Sequence, residues 1–179
     1  MYHPAHLTQL LFQTNPSHIN TEIKYSMTQS TLTTSFQTLE AVFDQIPFNQ
    51  MLGLKLTAVA SDHILLTLPM KPGLIGNYTH GILHGGVIST VLDMAGGMAA
   101  IVNTLQKRTN EGHPDPAQGL SMSSTISLHI DYLLPGIGDF FTAMAKVSHG
   151  GNKIIFTKME FLNSDNKIIA TGHATYLVR

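Results

Sequence analysis

Gly81-Ile82-Leu83-His84-Gly85-Gly86-Val87-Ile88-Ser89-Thr90-Val91-Leu92-Asp93-Met94-Ala95-Gly96-Gly97 is the stretch on which the fold turns. A His-Gly-Gly opens a helical run that is apolar almost all round, and such a helix is normally buried. It nevertheless carries one carboxylate, Asp93. Burying an ionised carboxylate costs several kcal/mol, on the order of a small domain's stability margin, unless a partner or a function justifies it. His84 and Asp93 are nine residues apart, which on a regular helix puts them on opposite faces and about 13 Å apart along the axis. They cannot meet within one helix. A reacting atom has to lie about 3 Å from both an electrostatic stabiliser and a nucleophile or base. If the helix N-terminus and Asp93 serve one site, that site needs two copies of the helix, which implies a two-fold dimer with two equivalent sites.

The helix is expected over about Gly85 to Leu105, and the rest of the chain has to supply its cover. Leu54 to Ala60 and His63 to Met70 read as a β-hairpin turning at Ser61-Asp62, and Lys71 to Gly81 as loop. After the helix comes a polar loop with Gly112, Pro114 and Pro116, long enough to act as a lid. Four strand-like segments follow, at Met122–Leu134, Asp139–Ser148, Lys153–Asn163 and Lys167–Val178, and read as sequential antiparallel hairpins. Thr125, Ser127, His129 and Asp131 alternate with Ile126, Leu128, Ile130 and Tyr132, giving one polar and one apolar face. The expected class is α+β, a curved antiparallel sheet wrapped around a long central helix.

Upstream, Phe36, Leu39, Val42, Phe43 and Ile46 follow helical spacing, with Thr33 or Thr34 as N-cap and Pro47 as the stop. Residues 1–32 are rich in Thr, Ser, Gln, Asn and His and read as a flexible tail, in which Met27 offers a second possible start. Residues 33–179 are expected to form one domain, consistent with a chain of 179 residues that is 43% hydrophobic. Ten basic against eleven acidic residues leave a net charge of −1, without the electrostatic footprint of a nucleic-acid or membrane-surface binder. The absence of cysteine excludes disulfides, thiolate catalysis and cysteine metal sites, and fits a reducing compartment. The first residues lack the basic start and apolar core of a secretory signal. No apolar run of about 20 residues suggests a membrane span. The expected location is the cytoplasm.

Asn77-Tyr-Thr-His-Gly81-Ile-Leu-His84-Gly85-Gly86 with Asp93, the strand Ile126-Ser-Leu-His-Ile-Asp-Tyr-Leu-Leu-Pro135 and the closing Ala170-Thr-Gly-His-Ala-Thr-Tyr occur in an order that resembles the hotdog-fold acyl-CoA thioesterases of the PaaI-like group. The resemblance covers about Phe36 to Val178. It implies dimers that pair their sheets edge to edge, in some cases a dimer of dimers. The implied reaction is hydrolysis of an acyl-CoA thioester to a carboxylic acid and CoA, without metal or cofactor.

Gly85 is the candidate oxyanion donor, because its N–H lies at a helix N-terminus and the missing side chain permits close approach. The alternative is that the Gly pair only permits tight packing or a turn. Asp93 is the candidate nucleophile or general base; as a purely structural group it would bond to Ser89 or Thr90. The resemblance implies that His84 and Asn77 hydrogen-bond near the thioester, although Asn77 precedes His84 by seven residues where many relatives have six. It also aligns Thr125 with a hydroxyl that orients the hydrolytic water. Gly86 joins the substrate-binding candidates, with Met94 and Gly97 lining an adaptable acyl pocket. Lys153 and Lys146 are candidates for CoA phosphates, against a solvated surface role. No His-Glu-x-x-His, Walker loop or Gly-x-Gly-x-x-Gly is present, so no metal or nucleotide site is expected by those routes.

A non-catalytic acyl-CoA or acyl-carrier binding module is the competing class. Asp93 separates the two, since a pure binder has no reason to hold a carboxylate beside a thioester. A hydratase or dehydratase is disfavoured, because neither the Asp-x-Asn-Pro-x-His pattern nor a Pro-Gly-x-Pro helix start occurs.

Overall fold

A computed structural model describes residues 29–113 and 123–178. The expected lid residues Pro114 and Pro116, and the tail up to residue 28, lie outside them.

The central helix, α3, runs from Gly85 to Asn110, 26 residues. His84 caps it from an extended backbone, with the Gly86 N–H donating to His84 Nδ1 at 2.8 Å. The helix outlasts the expected end at Leu105 because Gln106, Lys107 and Arg108 are good helix formers, although the apolar pattern stops before them. The two basic residues in the last turn complement the helix dipole. The stop is a Schellman motif: Gly112 takes a left-handed φ of 73°, its N–H bonds to Thr109 O, and the His113 N–H bonds to Arg108 O.

By length and composition α3 could cross a bilayer, contrary to the sequence expectation. Here its apolar side faces the sheet: Ile88, Val91, Leu92, Ala95, Gly96, Ala99 and Ala100 are all buried. Val91 and Leu92 are wholly removed from solvent, worth about 1.5–3 kcal/mol each. The small residues let the strands come close.

Six strands form that sheet in the order β1-β2-β6-β7-β8-β5: β1 Lys55–Val59, β2 Ile64–Pro69, β5 Ser123–Tyr132, β6 Phe140–Gly150, β7 Ile154–Asn163 and β8 Ile168–Val178. All neighbouring pairs are antiparallel. The segment expected to be loop holds a 3-10 turn at Pro72–Leu74 and a small hairpin, β3 Ile75–Asn77 with β4 Ile82–Leu83.

Two strand expectations need correction. The last four strands are not sequential hairpins, because β5 lies at the sheet edge beside β8 and does not pair with β6. After β5, the N–H groups of Leu133 and Leu134 both bond to Ile169 O, and Gly136 docks on β4 through the Leu83 N–H. The Pro135-Gly136 segment is thus a crossing connection under the start of α3. The strict alternation in β5 also fails at its start. A β-bulge between Thr125 and Ser127 makes Ile126 the extra residue. Leu128 and Ile130 then pack on the core, and Thr125 joins their side.

Upstream, α1 spans Gln29–Gln45, starting before the expected cap at Thr33. Pro47 does end it, and also serves as the first residue of a short helix, α2, Pro47–Leu52. Leu39 and Phe43 are buried, and Asn49 Nδ2 donates to Phe43 O at 2.9 Å.

Candidate active site

Asp93 sits on the third turn of α3, in its regular part, and is half-buried rather than sealed within one chain. Ser89, one turn back, donates to Gly86 O and not to the carboxylate; the side-chain partners of Asp93 among the described residues lie on the sheet. They come from the two outermost strands on that side. Thr125 Oγ1 on β5 donates to Asp93 Oδ1 at 2.9 Å. The Tyr176 hydroxyl on β8 lies 3.1 Å from the same oxygen and 2.8 Å from the Asp93 carbonyl. Thr125 and Tyr176 are register partners, so one rung of the sheet holds the carboxylate. The bulge at Ile126 is what turns Thr125 inward to complete that rung.

Tyr176 is buried. Burial, followed by the charge of Asp93 and the hydrogen bond to it, pushes its phenol well above the ordinary value of 10.0. Thr157, whose buried hydroxyl has no partner of hydrogen-bond geometry, opposes that rise weakly.

The helix N-terminus forms the second cluster. The Gly86 N–H is committed to His84 Nδ1, which removes Gly86 as a donor to substrate. Gly85 is different, because among the described residues no acceptor takes its N–H. Its carbonyl accepts from the Tyr132 hydroxyl at 3.1 Å, so the far end of β5 is tied to this cluster. With Nδ1 accepting, a neutral His84 carries its hydrogen on Nε2 and can donate there. The capping role and a substrate role are therefore compatible.

Asn77 sits at the end of β3, where its Oδ1 accepts from the N–H groups of Thr79 and His80 at 3.1 and 3.3 Å. It shapes the β3–β4 turn beside α3, and Tyr78, the residue at the six-residue spacing, is 93% exposed. Met94 is partly buried against the core. Gly97 faces the Tyr176 ring, 3.5 Å from where a Cβ would lie. Lys153 stands apart: its carbonyl accepts from the Val178 N–H, and the preceding Asn152 bonds to Lys107 in the last turn of α3. Along one helix that is about 20 Å from Asp93. A cleft of about 380 Å³ lies between the β1–β2 turn, Ala99–Gln106 and the end of β6, away from both clusters.

The two clusters are eight residues apart on α3, about 12 Å along its axis. One presents a carboxylate; the other presents a free N–H at the positive end of a helix dipole, where developing negative charge is stabilised.

The model of the thioesterase superfamily matches residues 80–170, just over half of the chain. The chain belongs to this superfamily and is a thioester hydrolase built on the hotdog fold. It is 38% identical over 133 residues, 74% of its own length and 86% of the relative's, to the medium/long-chain acyl-CoA thioesterase YigI of Salmonella typhimurium. A solved Shewanella oneidensis structure related to the thioesterase superfamily is 36% identical, covering 85% of this chain and all of that one, with a TM-score of 0.77. The Escherichia coli PaaI protein, from the phenylacetic acid degradation operon, shares the fold at 20% identity and a TM-score of 0.62, covering 83% of this chain and 95% of that one.

Tyr176 and Gly96 are what the sequence reading missed. Tyr176 stood in the quoted closing strand without a role. An OH-bearing aromatic on a buried strand position, which has to find a partner, was the signal that could have found it.

Proposed function

We propose that this chain hydrolyses medium- and long-chain acyl-CoA thioesters to the free acid and CoA, at two equivalent sites shared by the subunits of a two-fold dimer. One observation carries this reading. The open edge strand β5 holds one cluster at each end, Asp93 through Thr125 and Gly85 through Tyr132. Antiparallel pairing of β5 with its copy sets the Thr125 end of one strand beside the Tyr132 end of the other. The partner subunit's Asp93 then approaches this chain's Gly85, which is the juxtaposition that one helix alone cannot make. Ile126, Tyr132, Leu133 and Leu134, each at least half exposed in the single chain, supply apolar surface for that contact.

In this arrangement the thioester carbonyl oxygen points at the Gly85 N–H. Asp93 attacks the carbonyl carbon, or removes a proton from the water that does. The negative charge that develops on oxygen is met by the N–H and the helix dipole. Collapse of the tetrahedral species expels the CoA thiolate, and water completes hydrolysis if an acyl-aspartyl intermediate has formed. His84 Nε2–H and the free amide nitrogen of Asn77 orient the ester from the same end. The acyl chain lies near Met94 and Gly97. A cysteine-free chain suits a reducing, cytoplasmic setting.

The test is free-thiol release from acyl-CoAs of graded length, wild type beside Asp93→Asn. Release that disappears in the variant supports the proposal and ranks the chains. Undiminished turnover in Asp93→Asn overturns it, and saturable binding without turnover by the wild type would make the chain an acyl-CoA binding module.

A further inference from the structure

The phenol of Tyr176 has one proton and two acceptors within reach, Asp93 O at 2.8 Å and Asp93 Oδ1 at 3.1 Å. That reach exists because of a gap in the helix. A Cβ at Gly96, three residues after Asp93, would fall inside contact distance of the Tyr176 hydroxyl, 2.7 Å from Met159 Sδ and 2.9 Å from Thr157 Oγ1. Any side chain there would have to displace the phenol, the thioether or the buried hydroxyl. Gly97, by contrast, has ordinary room, with its nearest neighbour at 3.5 Å.

We infer that Tyr176, admitted by Gly96, is a positioning residue for the reacting carboxylate: with Thr125 it fixes Asp93 Oδ1 and so turns Oδ2 toward the thioester. The inference rests on the assignment of Asp93 made above. Both donors converge on one carboxylate oxygen, and none of the described hydrogen bonds uses the other. Two donors to one oxygen hold the χ angles of Asp93 that a lone, half-exposed carboxylate would leave free.

The second acceptor gives the phenol a further property. While Asp93 is negative, the proton favours Oδ1. When the carboxylate loses its charge, by bonding to the acyl carbon or by taking a proton from water, the same proton can turn to the Asp93 carbonyl. The buried hydroxyl stays satisfied in both states without moving its ring. Tyr176 forms no covalent bond and keeps its proton throughout, in keeping with a phenol held well above its ordinary titration range.

The experiment is steady-state kinetics on acyl-CoA for Tyr176→Phe, with thermal melting alongside. The expected result is a kcat lower by about 10- to 100-fold, the rate equivalent of one hydrogen bond to a charged group, with KM within about twofold and a melt close to wild type. Gly96→Ala keeps the hydroxyl but pushes it away, and should reproduce the kcat loss; it decides the matter if Tyr176→Phe does not fold. Adding Tyr176→Phe to Asp93→Asn should cost nothing further, since the carboxylate it positions is gone. An unchanged kcat in folded Tyr176→Phe, or a loss confined to KM, overturns the inference. Turnover that survives Asp93→Asn would instead sink the assignment of Asp93, which separates the two failures.

Discussion

The two edges of the sheet are built differently. At the β1 edge, α1 lies against the strand, Leu56 is buried beneath it, and Lys55 bonds Asp44 at 2.7 Å. A short, bulged strand with a charged residue at its start is poor material for pairing with another chain. The β5 edge spans ten residues, and apolar side chains stand exposed along and just beyond it. An edge that natural sheets normally blunt has been left open where both candidate clusters are tied, and that is the edge on which the proposed dimer rests.

The sharpest way to break this contrast is chemical. Asp93→Asn should lower kcat by about 10²- to 10⁴-fold, the range for losing a positioned acid–base group. Gly85→Pro should cost about 10²- to 10³-fold by deleting the free Gly85 N–H. Proline suits the first helical position, and His84 already has the extended backbone that a following proline requires. Mixed dimers of the two variants should regain up to half of wild-type activity, measured as thiol release after tandem-tag purification. Verified mixed dimers with no recovery would place both groups in one subunit.

Next in size, Ile126→Lys should weaken self-association, seen by sedimentation, and activity should fall in step with the dimer fraction. A dimer that forms unaltered would move the interface away from β5. Lys55→Ala, on the opposite edge, should leave association and activity untouched and change stability by less than about 1 kcal/mol, since an exposed ion pair contributes little.

The smallest effect concerns pH. Tyr176 titrates above its ordinary value in the folded chain and near 10.0 once unfolded. The folded state therefore holds the proton more tightly; that stability is present below pH 10 and is lost as pH rises beyond it. Melting temperatures should decline more steeply above about pH 10 in wild type than in Tyr176→Phe. Parallel curves would mean that the phenol is not held as described.

What could be read in the sequence was local. The apolar run after His84, the period-two segments and the turn at Ser61-Asp62 each follow from patterns a few residues long, and the start of α3 and the six strands of the main sheet fall where those patterns put them. That His84 and Asp93 cannot meet within one helix follows from helical rise and twist alone. Pairing β5 with β8 depended on contacts between distant segments, and nothing in Pro135-Gly136 distinguishes a crossing connection from a hairpin turn. Tyr176 reaches Asp93 across 83 positions of chain, and Gly96 looks in sequence no different from Gly97. Thr125 was reachable through family resemblance alone, because the bulge that aims it inward interrupts the alternation by which a strand's faces are read.

That extra residue, Ile126, works as a phase shifter. Downstream of it, β5 presents Leu128 and Ile130 to the core in one phase; upstream, the strand is advanced by half a period, and Thr125 faces the helix in place of an apolar neighbour. Deleting Ile126 would leave an unbroken rhythm with Thr125 still in phase with Leu128 and Ile130, whereas drawing Ile126 into regular alternation would turn Thr125 to the opposite face, off the carboxylate, with every residue type in the site conserved. Within this fold, the phase of β5 at that point, which decides whether Thr125 or Ile126 faces the helix, makes or breaks the Thr125–Asp93 bond without any change of residue.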